Sequence, residues 1–217
     1  MKRLVIIALG LAVAMAGVTF ATGIEKEVGG EGTKGNTNPF WPTRPAMRFQ
    51  CMWLQGELDQ AGKVARIEFK FHSYVGTPPT QFDGYKVILC HSSKTELTNN
   101  YQSNYDFKTP FTVYEGALTI PAGLNDGDWV TVCEATDVFN YNNRNNMLME
   151  IVWTSAEGAD KNLFWITGTG QPGRLWSPRS AATTGTLLAG QGQVARITFG
   201  NIAVEATSFG RVKALYR

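Results

Sequence analysis

The stretch Lys63-Val64-Ala65-Arg66-Ile67-Glu68-Phe69-Lys70-Phe71 decides the fold class. Ala65, Ile67, Phe69 and Phe71 fall on one side of a two-residue period, and Val64, Arg66, Glu68 and Lys70 on the other. That alternation predicts a half-buried β-strand, with Ile67, Phe69 and Phe71 inward and the charges outward. A similar run, Gln193-Val194-Ala195-Arg196-Ile197, follows much later. Each copy reads as an edge-like strand with Arg outward and Ile inward. The two are either paired neighbours or alike by chance.

The same period extends outward in both directions. Met47, Phe49, Cys51 and Trp53 alternate with Arg48, Gln50 and Met52. Further strands are predicted over residues 85–91, 112–120, 129–133, 147–154, 163–167, 186–189, 194–199 and 211–216. Between them lie turn signals, among them Pro78-Pro79, Pro121-Ala122-Gly123 and Asp126-Gly127-Asp128, together with an Asn-rich loop over 140–146. Residues 92–110 read as polar and irregular. No helix of three turns and no internal repeat is evident. Many short strands punctuated by turns predict an all-β chain, a single antiparallel β-sandwich over residues 46–217.

The N-terminus reads as an address. Lys2 and Arg3 precede an uncharged run from residue 4 to 16, and Thr19 and Ala21 place small residues before a cut after Ala21. This predicts a cleaved signal peptide over 1–21 and a secreted or cell-surface location, with no stable membrane insertion after cleavage. Residues 22–45, rich in Gly, Thr, Asn and Pro, read as an exposed flexible arm whose Phe40 and Trp41 pack onto the body.

The chain has 20 Lys and Arg against 18 Asp and Glu, and the excess is Lys2 and Arg3. Without them the charge is balanced and dispersed, which argues against nucleic acid and against electrostatic adsorption to anionic lipid. Hydrophobic residues at 43% and aromatics at 12% support a packed globule. The three cysteines, Cys51, Cys90 and Cys133, lie in strand-like runs and read first as buried free thiols. Cys90–Cys133 is the expected pair if one bridge forms. No Cys/His spacing suggests zinc.

Between residues 38 and 153 an ordered set of short pieces stands out. These are Asn38-Pro39-Phe40, Arg48-Phe49-Gln50, Gly56-Glu57-Leu58, Ala61-Gly62-Lys63-Val64 and Ile67-Glu68-Phe69. They continue with the run 85–91, Val113-Tyr114-Glu115-Gly116, Trp129-Val130-Thr131-Val132, Phe139-Asn140-Tyr141 and the run 145–151. In this order they resemble a domain of secreted and cell-surface proteins of Bacteroidetes-like and candidate-phylum bacteria, which often sits beside proteases or adhesin-like modules. Cys90 departs from that pattern, where glycine is usual, and the C-terminal sorting domain such proteins often carry is not evident. The resemblance implies a jelly-roll-like sandwich and no catalytic residues.

Motifs for chemistry are sparse. A Ser/His/Asp hydrolase would need His72 or His91 as base, and no Gly-x-Ser-x-Gly elbow accompanies either. His91 reads as a strand-end side chain bonded to a turn. Glu57, Asp59, Glu68, Asp106, Glu115, Glu134 and Glu150 include no pair placed by spacing for glycoside hydrolysis, and Glu150, within the apolar run 147–153, reads first as an outward strand carboxylate and otherwise as an inward one. No organic cofactor is expected. Asp126 and Asp128 are the candidate ligands for a structural Ca²⁺, against a plain hairpin turn. Six tryptophans are many for this length. Trp176, Tyr101, Tyr105 and Tyr141 read as loop aromatics suited to stacking on sugar rings or to a protein interface.

These features predict a non-catalytic, structural or adhesive cell-surface subunit. Its expected partners are other copies of itself, through strand addition by the arm or by residues 211–216, or cell-surface proteins and glycans. The alternatives are a carbohydrate-binding module and an accessory domain beside an extracellular protease.

Overall fold

The computed structural model describes residues 23–200. The signal peptide expected over 1–21 and the strand expected over 211–216 lie outside them. The chain is nearly all-β and every strand pair among the described residues is antiparallel. The strands are β1 (Ile24–Val28), β2 (Lys34–Asn36), β3 (Met47–Trp53), β4 (Gly62–Val75), β5 (Thr80–Ser92), β6 (Phe111–Ile120), β7 (Trp129–Tyr141), β8 (Asn146–Trp153), β9 (Ser155–Glu157), β10 (Lys161–Ser177), β11 (Thr186–Gln193) and β12 (Ala195–Gly200). Two single-turn helices, α1 (Gln55–Leu58) and α2 (Tyr101–Asn104), interrupt them. Among the described residues no helix is long and apolar enough to cross a membrane.

The strands form one curled sheet in the order β1-β12-β4-β10-β3-β8-β5-β6, with β7 also on β4, β2 and β11 on β10, and β9 on β5. β4 is the pivot. Its first part pairs with β12 and β7, and its last part with β10. The two similar runs are therefore paired neighbours, with Ile67 opposite Ile197 and Glu68 opposite Arg196. Neither is an edge, since β12 is flanked on its far side by β1.

The inward set on β4 differs from strict alternation. Val64, Ile67, Phe69 and Phe71 are all buried. Thr198 pairs with Arg66 and Phe199 with Val64, so Ala65 is an extra residue on β4. Such a bulge flips the phase of the pleat, which turns both Val64 and Ile67 to the core.

Phe40 fills the space enclosed by the curl. It is fully buried, with ring centroids 5.0 Å from Phe164, 5.3 Å from Phe82, 6.0 Å from Phe69 and 6.4 Å from Tyr85. Tyr85 Oη reaches across from β5 to donate to the Val132 carbonyl of β7 at 2.8 Å. The expectation of a free arm does not hold for the segment before Phe40. Ile24–Val28 pairs with Ala195–Phe199, and Lys34–Asn36 with Phe164–Ile166. Gly29, at φ +85°, allows the turn between them, because a Cβ there would strike the Gln193 carbonyl. Glycine richness here supplies turns and close backbone approach.

A second apolar cluster lies on the opposite face of the sheet. Met52, Cys90, Leu148 and Leu175 point there and are covered by Leu97, Tyr101 and Tyr105. The segment between β5 and β6, polar in composition, is thus a packed cover. Its buried Asn104 donates through Nδ2 to Gln50 Oε1 at 2.9 Å and accepts from Thr98 N at 2.8 Å. Beneath it, Glu150 lies on the side of β8 away from the main core, as an outward strand carboxylate would, yet it is 2% exposed because the cover closes over it. Arg48 and Gln50 hold it by three hydrogen bonds.

Candidate functional site

Of the four aromatics expected on loops, three are core. Tyr101 is buried and donates to the Arg48 carbonyl at 2.7 Å. Tyr105 lies beside Glu150, and burial followed by that carboxylate's charge holds its phenol well above the ordinary range. Tyr141 donates to the Asn145 carbonyl at 2.6 Å, and burial pushes its phenol up to about 12. The Asn-rich and Tyr-rich surroundings suggest loops, yet Tyr101 and Tyr141 each spend the hydroxyl on a backbone carbonyl, the usual condition for burying it, while Tyr105 lies against the side chains of Glu150 and Arg48. None of the three can stack on a ligand.

Trp176 remains at the surface but on a strand, near the end of β10, paired with Phe49 and Thr186. Gly168, Gly170, Pro172 and Gly173 obscure that strand in the sequence. They sit where β10 shifts register against β11, and Gly173 has φ +106°. The bend brings Trp176 to Trp41, with ring centroids 6.5 Å apart and planes tilted by 41°. The Arg44 guanidinium lies 3.9 Å from the centroid of Trp41 and 5.8 Å from that of Trp176. Lys161 Nζ, from the start of β10, is 5.9 Å from the Trp41 ring. Trp41, Arg44 and Trp176 are half-buried and Lys161 is exposed.

The local chain explains the cluster. Pro39, Pro42 and Pro45 restrict the loop between β2 and β3, and Arg44 N donates to the Trp41 carbonyl at 3.1 Å, closing a turn that folds the guanidinium over the indole. Phe40 is enclosed in the core, and Trp41 and Trp176, both half-buried, pack against the margin of that core, as expected for Phe40 and Trp41. Trp41 Nε1 and Arg44 Nε are buried without a partner. Neither Arg44 nor Lys161 makes an ion pair among the described residues. Arg44 and Lys161 carry no motif in the sequence, and only the folded structure brings Lys161 to Trp41 and Arg44 within 5.8 Å of the Trp176 ring.

Asp126 and Asp128 occupy the expected turn, with Gly127 at φ +92°. Asp126 Oδ1 accepts from Trp165 Nε1 at 2.6 Å, and Asp128 Oδ2 accepts from Asn125 N at 2.7 Å. Each carboxylate thus already has a protein donor. No group of three or more His, Cys, Asp or Glu side chains placed to hold a metal ion occurs among the described residues. The Cys90–Cys133 bridge is not formed. All three cysteines are free and buried, with Cys90 in the outer cluster and Cys133 in the main core. The sheet itself separates the two, because Cys90 and Cys133 belong to clusters on its opposite faces.

The histidines make no acid–base constellation. The His72 ring packs 4.6 Å from the Trp165 ring at a tilt of 52°, and its Nδ1 lies 2.7 Å from Ser73 Oγ. His91 packs 4.7 Å from Phe139, and its Nε2 accepts from Asn142 N at 3.3 Å. Burial, followed by the charge of Lys108, lowers its pKa below the ordinary 6.5. No protein-family model matches the chain, and a search of curated proteins returns no match.

Proposed function

We propose that this is a secreted, non-catalytic, jelly-roll-like β-sandwich module that works at the cell surface as an adhesive subunit, making its contact through the Trp41–Trp176 face. The leader-like N-terminus supports export. The observation that carries the contact is the half-buried indole pair with Arg44 stacked against it. The tilted indole pair offers an apolar surface and Arg44 a planar donor fork, and Trp and Arg are side chains that dominate recognition surfaces. The curl of the sheet, with Phe40 packed between strands on either side, supports the sandwich reading.

Strand addition by the arm has less support. Residues 24–28 and 34–36 are already paired within the chain. The outer strand β1 also carries Glu25, Lys26 and Glu27 in succession, and charges on an edge resist pairing with other chains. A glycan array probed with the full chain and with Trp176→Ala tests the proposal. Binding that disappears in the variant, with its thermal unfolding unchanged, is the expected result. Equal binding by both proteins would place the contact elsewhere.

A further inference from the structure

The same face also carries a charge pattern that bears on what it binds. Arg44 and Lys161 both project cations at the Trp41 ring, from different parts of the chain. The carboxylates that pair with cations elsewhere on the described sheet, Glu68, Glu115, Glu134 and Glu150, are committed to Arg196, Lys86, Arg66 and Arg48. An aromatic face with two unneutralised cations raises the local concentration of anions and orients a carboxylate. The surface is an indole pair with a cationic rim, unlike the concave apolar cavity that encloses a lipid or a small hydrophobic molecule.

We propose, resting on the reading that this face is a contact site, that its ligand is an acidic polysaccharide. A sugar ring of a uronate-bearing chain lies against the accessible part of the half-buried Trp41 and Trp176, and its carboxylate meets Arg44 and Lys161. The indoles supply stacking common to most sugars, and the two cations select the charged ones.

The test uses the full chain, oligogalacturonate as the acidic probe, a neutral galactose oligomer of equal length, and poly-glutamate as an acidic chain without sugar rings. Calorimetric titration is expected to show oligogalacturonate binding at least about tenfold more tightly than the neutral oligomer, with the difference shrinking as salt is raised. Lys161→Glu, at an exposed position that leaves the core untouched, is expected to weaken the acidic probe by about tenfold and leave the neutral one unchanged. Arg44→Gln serves as a second variant, with a melting curve to show that it folds. Trp176→Ala removes binding of both sugars. If the two oligomers bind equally and Lys161→Glu changes neither, the acidic class is wrong while the contact face stands. If poly-glutamate binds as tightly as the uronate, charge alone is being read and the saccharide is wrong. If no probe binds, the contact reading falls together with this one.

Discussion

Arg48 holds Glu150 with two parallel hydrogen bonds, Nε to Oε1 at 3.0 Å and Nη2 to Oε2 at 3.1 Å, beneath the cover formed by the segment between β5 and β6. Gln50 Nε2 adds a third donor to the same carboxylate at 2.7 Å, and Arg48 Nη1 donates to the Ala182 carbonyl at 2.6 Å. This network joins β3, β8 and the 178–185 loop. It makes the polar cover a fixed part of the fold.

Removing one partner from such a buried pair leaves a charge without compensation. Glu150→Ala is therefore expected to cost about 3–5 kcal/mol in urea unfolding. Arg66→Ala, which breaks the pair with Glu134 where the two side chains are 41% and 66% exposed, is expected to cost about 0–1 kcal/mol. Comparable losses for the two variants would mean that the cover does not exclude water from Glu150.

Phe40 tests whether the segment before β3 belongs to the core. Phe40→Ala removes a ring packed against Phe69, Phe82, Tyr85 and Phe164 and is expected to cost about 3–5 kcal/mol. Deleting residues 24–36, which strips β1 and β2 from β12 and β10, is expected to lower the melting temperature sharply. A deletion variant as stable as the parent would restore the free-arm reading.

His91 gives a pH signature. Its folded-state pKa lies below the unfolded value, so the unfolded chain binds the proton more readily. The stability it contributes is complete above about pH 6.5 and declines as pH falls below that value toward the folded pKa. In melting curves taken across this range, His91→Gln is expected to show a shallower acid decline than the parent. Identical slopes would show that His91 protonates equally in both states.

The thiols are expected to be silent. Burial raises Cys90 to about 11 and Cys133 to about 12, and holds Cys51 higher still. At about pH 8 the native chain is expected to resist a disulfide-exchange reagent, and all three thiols to react once the chain is unfolded. Prompt labelling of one thiol in the native state would contradict their burial, and loss of two titratable thiols would reinstate a bridge.

The sequence discloses the strands wherever one face is wet and one dry, as in β4 and β3. It discloses less where both faces are covered. Gln50 and Met52 sit on the outward side of β3 by alternation, yet both are buried, because a segment distant in sequence closes over them. β10 is hidden for a different reason. Its glycines and Pro172 imitate a loop, while tertiary pairing with β3 and β11 holds them at bulges. Trp176 was legible as a candidate contact from its type and neighbours. Trp41 was legible only as a packing residue, and Arg44 and Lys161 not at all, since their meeting depends on how β10 bends.

The central claim is that Trp41 and Trp176 form the contact face, and the indole N–H resonances of the six tryptophans report on it directly. Trp53 and Trp153 donate within the core to the Gln193 and Pro39 carbonyls, each at 2.9 Å, and Trp165 donates to Asp126. These three, with Trp129, serve as internal controls. On titration with oligogalacturonate, the Trp41 and Trp176 signals are expected to shift together and saturate while the other four stay in place. Saturable shifts confined to Trp129 or Trp165, with Trp41 and Trp176 unmoved, would contradict the account.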